Sequence, residues 1–414
     1  MLNIDYRSLV SRADIVYLSP PEVSIEGLPI GNGCMGMTLW TTPSSVRTQI
    51  NRNDIFSSDQ NHAGSHRNPV DYRGACAQID VDVGSSAFAG TDFRQHLGVY
   101  DAECTTAGAG IEMHCFVSAA ADLLVLEIDD RRLEPRAIRL TVSMWRPPEV
   151  VTPLKLVPLR EDAGADIDTG THTARYEFTE DDGRLLLVQQ FHETRVFRDE
   201  QYRGAAALAV GVLDAATCIE QAAPLPPQPL WFDDAPKPLD APLQTRGAPQ
   251  ARAICIPAAA GKRTILVSSA ASTASERDVG GAALALLDAA SSTSHAELRR
   301  QHLRWWHAFW ERTFVHLSSA DGLADFMERV RTLHLYYTAS SSRGDVPAPQ
   351  IAGLNFQTVG DITRLGTQLW HWIEETTYTP LFAADAMDLT DPYFDVYVRQ
   401  LPACRSAARQ RWGV

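Results

Sequence analysis

The chain has 414 residues, 45% of them apolar and 21% charged, with a formal net charge of −14. That is the balance of a globular protein with a sizeable core, long enough for two or three domains. The acidic surplus argues against nucleic acid and against an anionic membrane surface as partners, and no run of 18 apolar residues offers a membrane span.

The basic residues are almost all arginine, with lysine only at Lys155, Lys237 and Lys262, a pattern attributed to coding bias. The segment Met1 to Val10 lacks a charged region followed by an apolar one. The chain as written is therefore expected to be cytoplasmic, or exported if a leader was removed.

The first local signal is Gly27-Leu28-Pro29-Ile30-Gly31-Asn32-Gly33-Cys34-Met35-Gly36. Its glycines mark a backbone at positive φ or in close approach. A dinucleotide fingerprint would need a strand, a turn and a helix here. Instead a strand follows at Met37 to Thr41, then Gln49-Ile50-Asn51-Arg52-Asn53-Asp54. No cofactor is implied. The loop is read as a tight entry into the first sheet, or as one that reaches a neighbouring domain's cleft through Asn32. His62 and His66 lie in loop-like sequence, and no metal site is assigned.

From residue 35 to 270 the apolar residues alternate with period two. Ile79, Val81 and Val83 share one face. Ile111, Met113, Cys115 and Val117 share another. Leu123 to Ile128 reads as a doubly buried strand. Further strands are expected at 138–145, 174–179, 184–191, 205–213, 251–256 and 264–269, with Asp182-Gly183 as a hairpin turn. So many strands without helices indicate a large antiparallel sandwich. Residues 221–250, which hold 8 of the 24 prolines, read as a long loop inside it. Seven widely spaced cysteines without a CxxC argue for free thiols, mostly buried, rather than disulfides or zinc.

Beyond residue 275 the period becomes helical. Helices are expected at 276–290, at 295–314, along the stripe Leu323, Phe326, Met327, Val330, Leu333, Tyr337, and at 366–389 and 392–412. The division is a β domain at 1–270, a helical connector at 271–318 and a helical domain from 319 to 414.

The second signal is Trp370-His371-Trp372-Ile373-Glu374-Glu375-Thr376-Thr377-Tyr378-Thr379-Pro380. On a helix, His371, Glu375 and Tyr378 fall on one side. Aromatic rings beside hydrogen-bonding groups suit sugars, so Asn32, Trp370, His371, Trp372, Glu375 and Tyr378 are the candidate carbohydrate contacts. Adjacent Glu374 and Glu375 diverge by roughly 100° and do not flank one bond. No catalytic residue is assigned.

These segments carry a resemblance. The Gly27–Gly33 and Gln49–Asp54 motifs resemble the N-terminal signature of glycoside hydrolase family 95. Pro347–Gly353, Trp370-His371-Trp372, Tyr378-x-Pro380-Leu381-x-Ala383-Ala384 and Asp391-Pro392-Tyr393-Phe394-Asp395 resemble that family's entry into its catalytic barrel. The resemblance implies an antiparallel β-supersandwich, a helical linker and a partial (α/α)6 toroid. It also implies inverting hydrolysis of α-L-fucosides or α-L-galactosides, whose acid and base stand roughly 6.5–9.5 Å apart. Both are expected beyond residue 414. At the position of the family's orienting asparagine this chain has Ile373, which cannot hydrogen bond. The expected function is thus the N-terminal part of such a hydrolase, or a non-catalytic carbohydrate-binding protein built from the same parts. The expected consequence of a partial toroid is exposed apolar surface at Trp370, Trp372 and the Phe394 region.

Overall fold

The computed structural model describes residues 4–55, 74–156, 167–195, 202–213, 215–229, 244–274, 277–349, 356–361 and 371–413. A short helix α1 (Tyr6–Val10) opens the chain. The strands that follow are β1 (Ile15–Tyr17), β2 (Leu28–Gly31), β3 (Met35–Thr41), β4 (Ser45–Arg52), β5 (Ala75–Asp82), β6 (Arg94–Gly98), β7 (Glu103–Gly108), β8 (Ile111–Val117) and β9 (Leu123–Asp130). Then come β10 (Ile138–Ser143), β11 (Glu149–Leu156), β12 (Ile167–Asp181), β13 (Arg184–Arg195), β14 (Tyr202–Leu213), β15 (Cys218–Ala222), β16 (Gln244–Arg246), β17 (Ala251–Ile256) and β18 (Gly261–Ser272).

These strands form an eleven-stranded sheet, β1-β6-β7-β8-β9-β18-β14-β13-β12-β11-β16, and a seven-stranded sheet, β15-β17-β10-β5-β4-β3-β2. Every described pairing is antiparallel. The period-two residues meet between the sheets: Ile79, Val81, Ile111, Met113, Leu140, Leu187 and Val267 belong to one core. Asp182 and Gly183 both adopt positive φ (48° and 75°), the geometry of a type I′ hairpin turn, and close β12 onto β13. The proline-rich segment begins at β15 in the seven-stranded sheet and is followed by β16 in the eleven-stranded one. Residues 230–243 of it are outside the described set.

The cysteines are all free. Cys76, Cys104 and Cys115 are buried, Cys34 and Cys255 half-buried, and Cys218 and Cys404 exposed, so burial holds for fewer of them than expected. Cys104 faces Cys115 across one strand pair and Cys218 faces Cys255 across another.

The helical part comprises α2 (Val279–Ser291), α3 (His295–Thr313), α4 (Leu323–Ser341), α5 (His371–Ala383) and α6 (Asp391–Trp412). Asp278 caps α2 by accepting from Gly281 N, and Ser294 caps α3 by accepting from Glu297 N. Helix α2 lies on the outer face of the large sheet, where Val279, Ala283 and Leu287 meet Leu186, Ala207 and Leu266. Helix α3 packs on the β6–β8 end. Its Trp306, Phe309 and Trp310 are almost fully buried, each worth roughly 1.5–3 kcal/mol of transfer free energy. Trp310 Nε1 donates to Val99 O at 3.2 Å, and Arg299 forks onto Glu103 at 2.7 and 2.8 Å.

Helix α4 turns the other way from its sequence pattern. The stripe Leu323, Phe326, Met327 and Val330 is 46–60% exposed. The buried residues are Glu328, Thr332, Leu335, Tyr336, Thr338, Ala339, Ser340 and Ser341. The buried face mixes Leu335 and Tyr336, which join the main core, with small and polar groups: Glu328 pairs with Arg12 at 3.1 Å and accepts from Leu317 N at 2.6 Å. Phe394 is likewise 46% exposed, as expected for that region. Trp370 lies outside the described residues, as does the Trp372 side chain. Among the described residues no helix is long and apolar enough to cross a membrane.

Candidate functional site

The Gly27–Gly36 loop and the described part of α5 both bond to the C-terminal end of α4, at the seam between the seven-stranded sheet and the helices. Strand β2 pairs with β3, and the turn between them brings Asn32 and Gly33 to the C-terminal end of α4. Gly33 adopts φ +97° and donates its N–H to Ser340 O at 2.9 Å. A Cβ on Gly33 would stand 2.2 Å from Arg343 Cβ, and one on Gly31 2.3 Å from Ser340 O. Only glycine permits that approach. Tyr336 fixes the same helix by donating to Pro29 O at 2.8 Å.

Alternation along β4 and just past it sends Gln49, Asn51 and Asn53 towards the helical part, while Ile50 goes to the core. Gln49 exchanges two hydrogen bonds with the Gly360 backbone, at 2.7 and 3.2 Å. Asn51 Nδ2 donates to Gln357 O at 3.0 Å, and Asn53 Nδ2 to Gly33 O at 2.8 Å and Ser341 O at 2.5 Å. Three amides thus satisfy backbone carbonyls that burial would otherwise leave without partners. Asp361 closes the seam. It takes both bonds from Arg146 Nη1 at 2.8 and 2.9 Å, and one from Trp145 Nε1 at 2.7 Å, with both charged side chains at most 7% exposed.

At the rim stands a charged cluster. Arg52, 3% exposed, forks onto Asp54 at 2.7 and 2.8 Å and reaches Asp122 at 2.9 Å. Burial works against the Arg52 charge, but Asp54 and Asp122 outweigh it and raise its pKa. Its Nη2 also touches Cys34 Sγ at 3.2 Å. Burial lifts the Cys34 thiol well above its ordinary value, so it is no thiolate nucleophile. Asp54 and Asp122 are 23% and 24% exposed, and open to solvent.

Asn32 is buried and fully engaged. Its Nδ2 donates to Ala121 O at 2.9 Å and Asp122 Oδ1 at 3.0 Å, while its Oδ1 accepts from Cys34 N and Met35 N. Its side chain therefore shapes the loop. Arg343 Nε donates to Asn32 O at 2.8 Å, and the guanidinium lies 3.6 Å over the Trp305 ring. Burial brings Arg343 down to about 9, which leaves it charged at neutral pH. Phe309 stacks on Trp305 at 5.4 Å, so that indole is covered by Arg343 and Phe309.

Helix α5 supplies the remaining candidates. Tyr378 is buried and shares a 2.7 Å hydrogen bond with Ser342. Glu375 is exposed, and its neighbour Glu374, 3% exposed, is the carboxylate on the buried side. Burial, and secondarily the Glu374 charge, raises the pKa of Tyr378 and Tyr397. The structure thus ties the Asn32 backbone to Arg343 and the Tyr378 side chain to Ser342, both at the α4 C-terminus, and leaves Glu375 on the surface. The side chains of Trp370, His371 and Trp372, and that of Ile373, lie outside the described residues. The residues sequence reasoning missed are Arg52, Asp54, Asp122, Arg146, Asp361 and Arg343. Arg52 and Asp54 sat within the quoted motif, but their partner Asp122 follows a different strand. Among the described residues no cluster of His, Cys, Asp and Glu could hold a metal ion.

No protein-family model matches the chain, and no curated protein matches its sequence. Solved structures do. One assigned as a kojibiose phosphorylase from human microbiome is 10% identical, with a TM-score of 0.40, over 83% of this chain and 44% of its own. The family 92 glycosyl hydrolase ccman5 is 16% identical, with a TM-score of 0.39, over 84% and 44%. A bacterial glucoamylase complexed with acarbose is 9% identical, with a TM-score of 0.36, over 92% and 52%. The chain spans about half the length of these structures. With TM-scores no higher than 0.40, the fold assignment rests on the elements themselves.

Proposed function

We propose that the chain is a glycoside-hydrolase-type protein in which the seam between the small sheet and the helices receives a sugar of the α-L-fucoside or α-L-galactoside class. The observation that carries this reading is that the Gly27–Gly36 loop, through Asn32 and Gly33, and α5, through Tyr378, both bond to the chain at the C-terminal end of α4, at Ser340, Ser342 and Arg343. At the rim of the seam Asp54 and Asp122, held in place by the buried Arg52, offer partly exposed acceptors for sugar hydroxyls.

The same geometry favours recognition without turnover by the described residues. Inversion requires a carboxylic acid of raised pKa and a carboxylate that holds water on the opposite face. Asp54 and Asp122 are both taken up by Arg52, and Asp361 by Arg146. Glu375 points to solvent. In this proposal an acid and base, if the protein is an inverting hydrolase, come from outside the described residues.

Calorimetric titration with methyl α-L-fucoside and methyl α-L-galactoside, beside Asp54→Asn, tests the assignment. Weak binding that falls about fivefold or more in the variant is expected. Equal binding by both proteins would move the site away from this rim.

A further inference from the structure

A concavity lies on the outer face of the eleven-stranded sheet. It crosses β14, β13, β12, β11 and β16 and ends at the first turn of α2. Two compartments of about 480 and 300 Å³ share Arg175, Val188 and Gln190, so they form one groove. Strand register explains its lining. Arg246, Glu149, Arg175 and Gln190 are successive cross-strand partners, and Thr173 and Arg203 belong to the next row on the same face. Alternate residues on these strands, Ala174, Phe191 and Ala206, go to the core instead. Rows of neighbours about 4.8 Å apart across five strands make an elongated, open-ended trough.

Its charge stands out on a chain of net −14. Arg175 pairs with Glu149 at 2.9 Å. Arg203, Arg246 and Arg277 have no ion pair among the described residues, and Arg203 and Arg277 are exposed. Of the other acids in the groove, Asp278 is turned to cap its own helix and Glu177 lies in the smaller compartment. The floor is small, at Val188 and Ala205. The rings of Tyr176 and Phe191 at its border are buried towards the core, and the half-buried imidazole of His192 lies between Thr173 and Arg203, so the groove has no row of exposed rings on which successive bases could stack.

We propose that this groove binds an acidic oligosaccharide, a chain of uronate residues whose carboxylates are taken bidentately by Arg203 and Arg277. The guanidinium fork matches a carboxylate, and Thr173 and Gln190 supply partners for hydroxyls. Single-stranded nucleic acid would need stacking platforms, and an added peptide strand needs a sheet edge rather than a face. This inference is independent of the sugar site proposed at the seam.

The test is calorimetric titration of the whole chain with a galacturonic acid tetrasaccharide, its methyl ester and a short oligothymidylate. The expected result is binding of the acid alone, weakened several-fold by raising salt from 50 to 300 mM. Arg203→Ala with Arg277→Ala should weaken it about tenfold or more at unchanged melting temperature, while Arg300→Ala on α3 leaves it unaltered. Absence of binding at millimolar acid, equal binding of the ester or the oligothymidylate, or indifference to the double substitution would each overturn the proposal.

Discussion

Replacing Asp361 by alanine removes one partner of a buried ion pair and leaves the Arg146 guanidinium in the seam without its carboxylate. Both side chains are at most 7% exposed, so solvent screens them little. Breaking such a pair costs about 3–5 kcal/mol, and the lost bond from Trp145 Nε1 adds about 1 kcal/mol. Unfolding entropy of roughly 2.1 cal/mol/K per residue gives roughly 0.9 kcal/mol/K for this chain, so the melting temperature should fall by about 5 °C. Differential scanning calorimetry reads this directly. The double variant Arg146→Met with Asp361→Leu should recover at least half of the loss, because removing both charges ends the burial penalty. A shift below 1 °C for Asp361→Ala, or no recovery in the double variant, would show that residues 356–361 are not clamped to the small sheet.

Burial lowers His302 to about 4 from an ordinary 6.5, and its Nε2 donates to Asp101 O at 2.8 Å. Between those values the unfolded chain binds more protons, so stability should fall as pH drops from 6.5 towards 4, and His302→Gln should flatten that slope in melting curves. Hydrogen bonds from His114 and Arg299 overcome burial and hold Glu103 below the usual carboxylate range. Its contribution should be lost at lower pH, as pH falls from the ordinary value through the depressed one, and Glu103→Gln should reduce the acid-side loss. Gly33→Ala should lower the melting temperature through positive φ and the Arg343 contact, an effect of about 1–3 kcal/mol for the backbone alone. Phe326→Ser and Val330→Ser on the exposed stripe should change stability by no more than about 0.5 kcal/mol, whereas Glu328→Ala on the buried face should cost several times that; the reverse order in urea denaturation would mean that α4 packs by its apolar stripe.

The strands were legible because each exposes one face of its alternation to a common core, and the hairpin at Asp182-Gly183 because few residues tolerate its φ. The side chosen by α4 was not. Its apolar stripe reads as core, yet the helix buries the face where Glu328 fits Arg12, Tyr336 bonds Pro29 and Leu335, Tyr336 and Ala339 join the main core. The polar alternation of Gln49, Asn51 and Asn53 was visible in the motif, but its partners lie some 300 residues on. Asn32 was singled out for sugar contact from its loop, yet four hydrogen bonds occupy it, two local and two to residues 121 and 122. Glu374 and Glu375 differ in burial by their place on the helix, a matter of packing that spacing alone leaves open.

The central claim is recognition of sugar at the seam without cleavage by this chain. Proton NMR of the purified protein with methyl α-L-fucoside tests both halves in one sample. Saturation transfer to the sugar, with no free reducing-sugar signals accumulating over a day, is the predicted result. Reducing-sugar signals that disappear with Glu375→Ala, or a complete absence of saturation transfer, would contradict it.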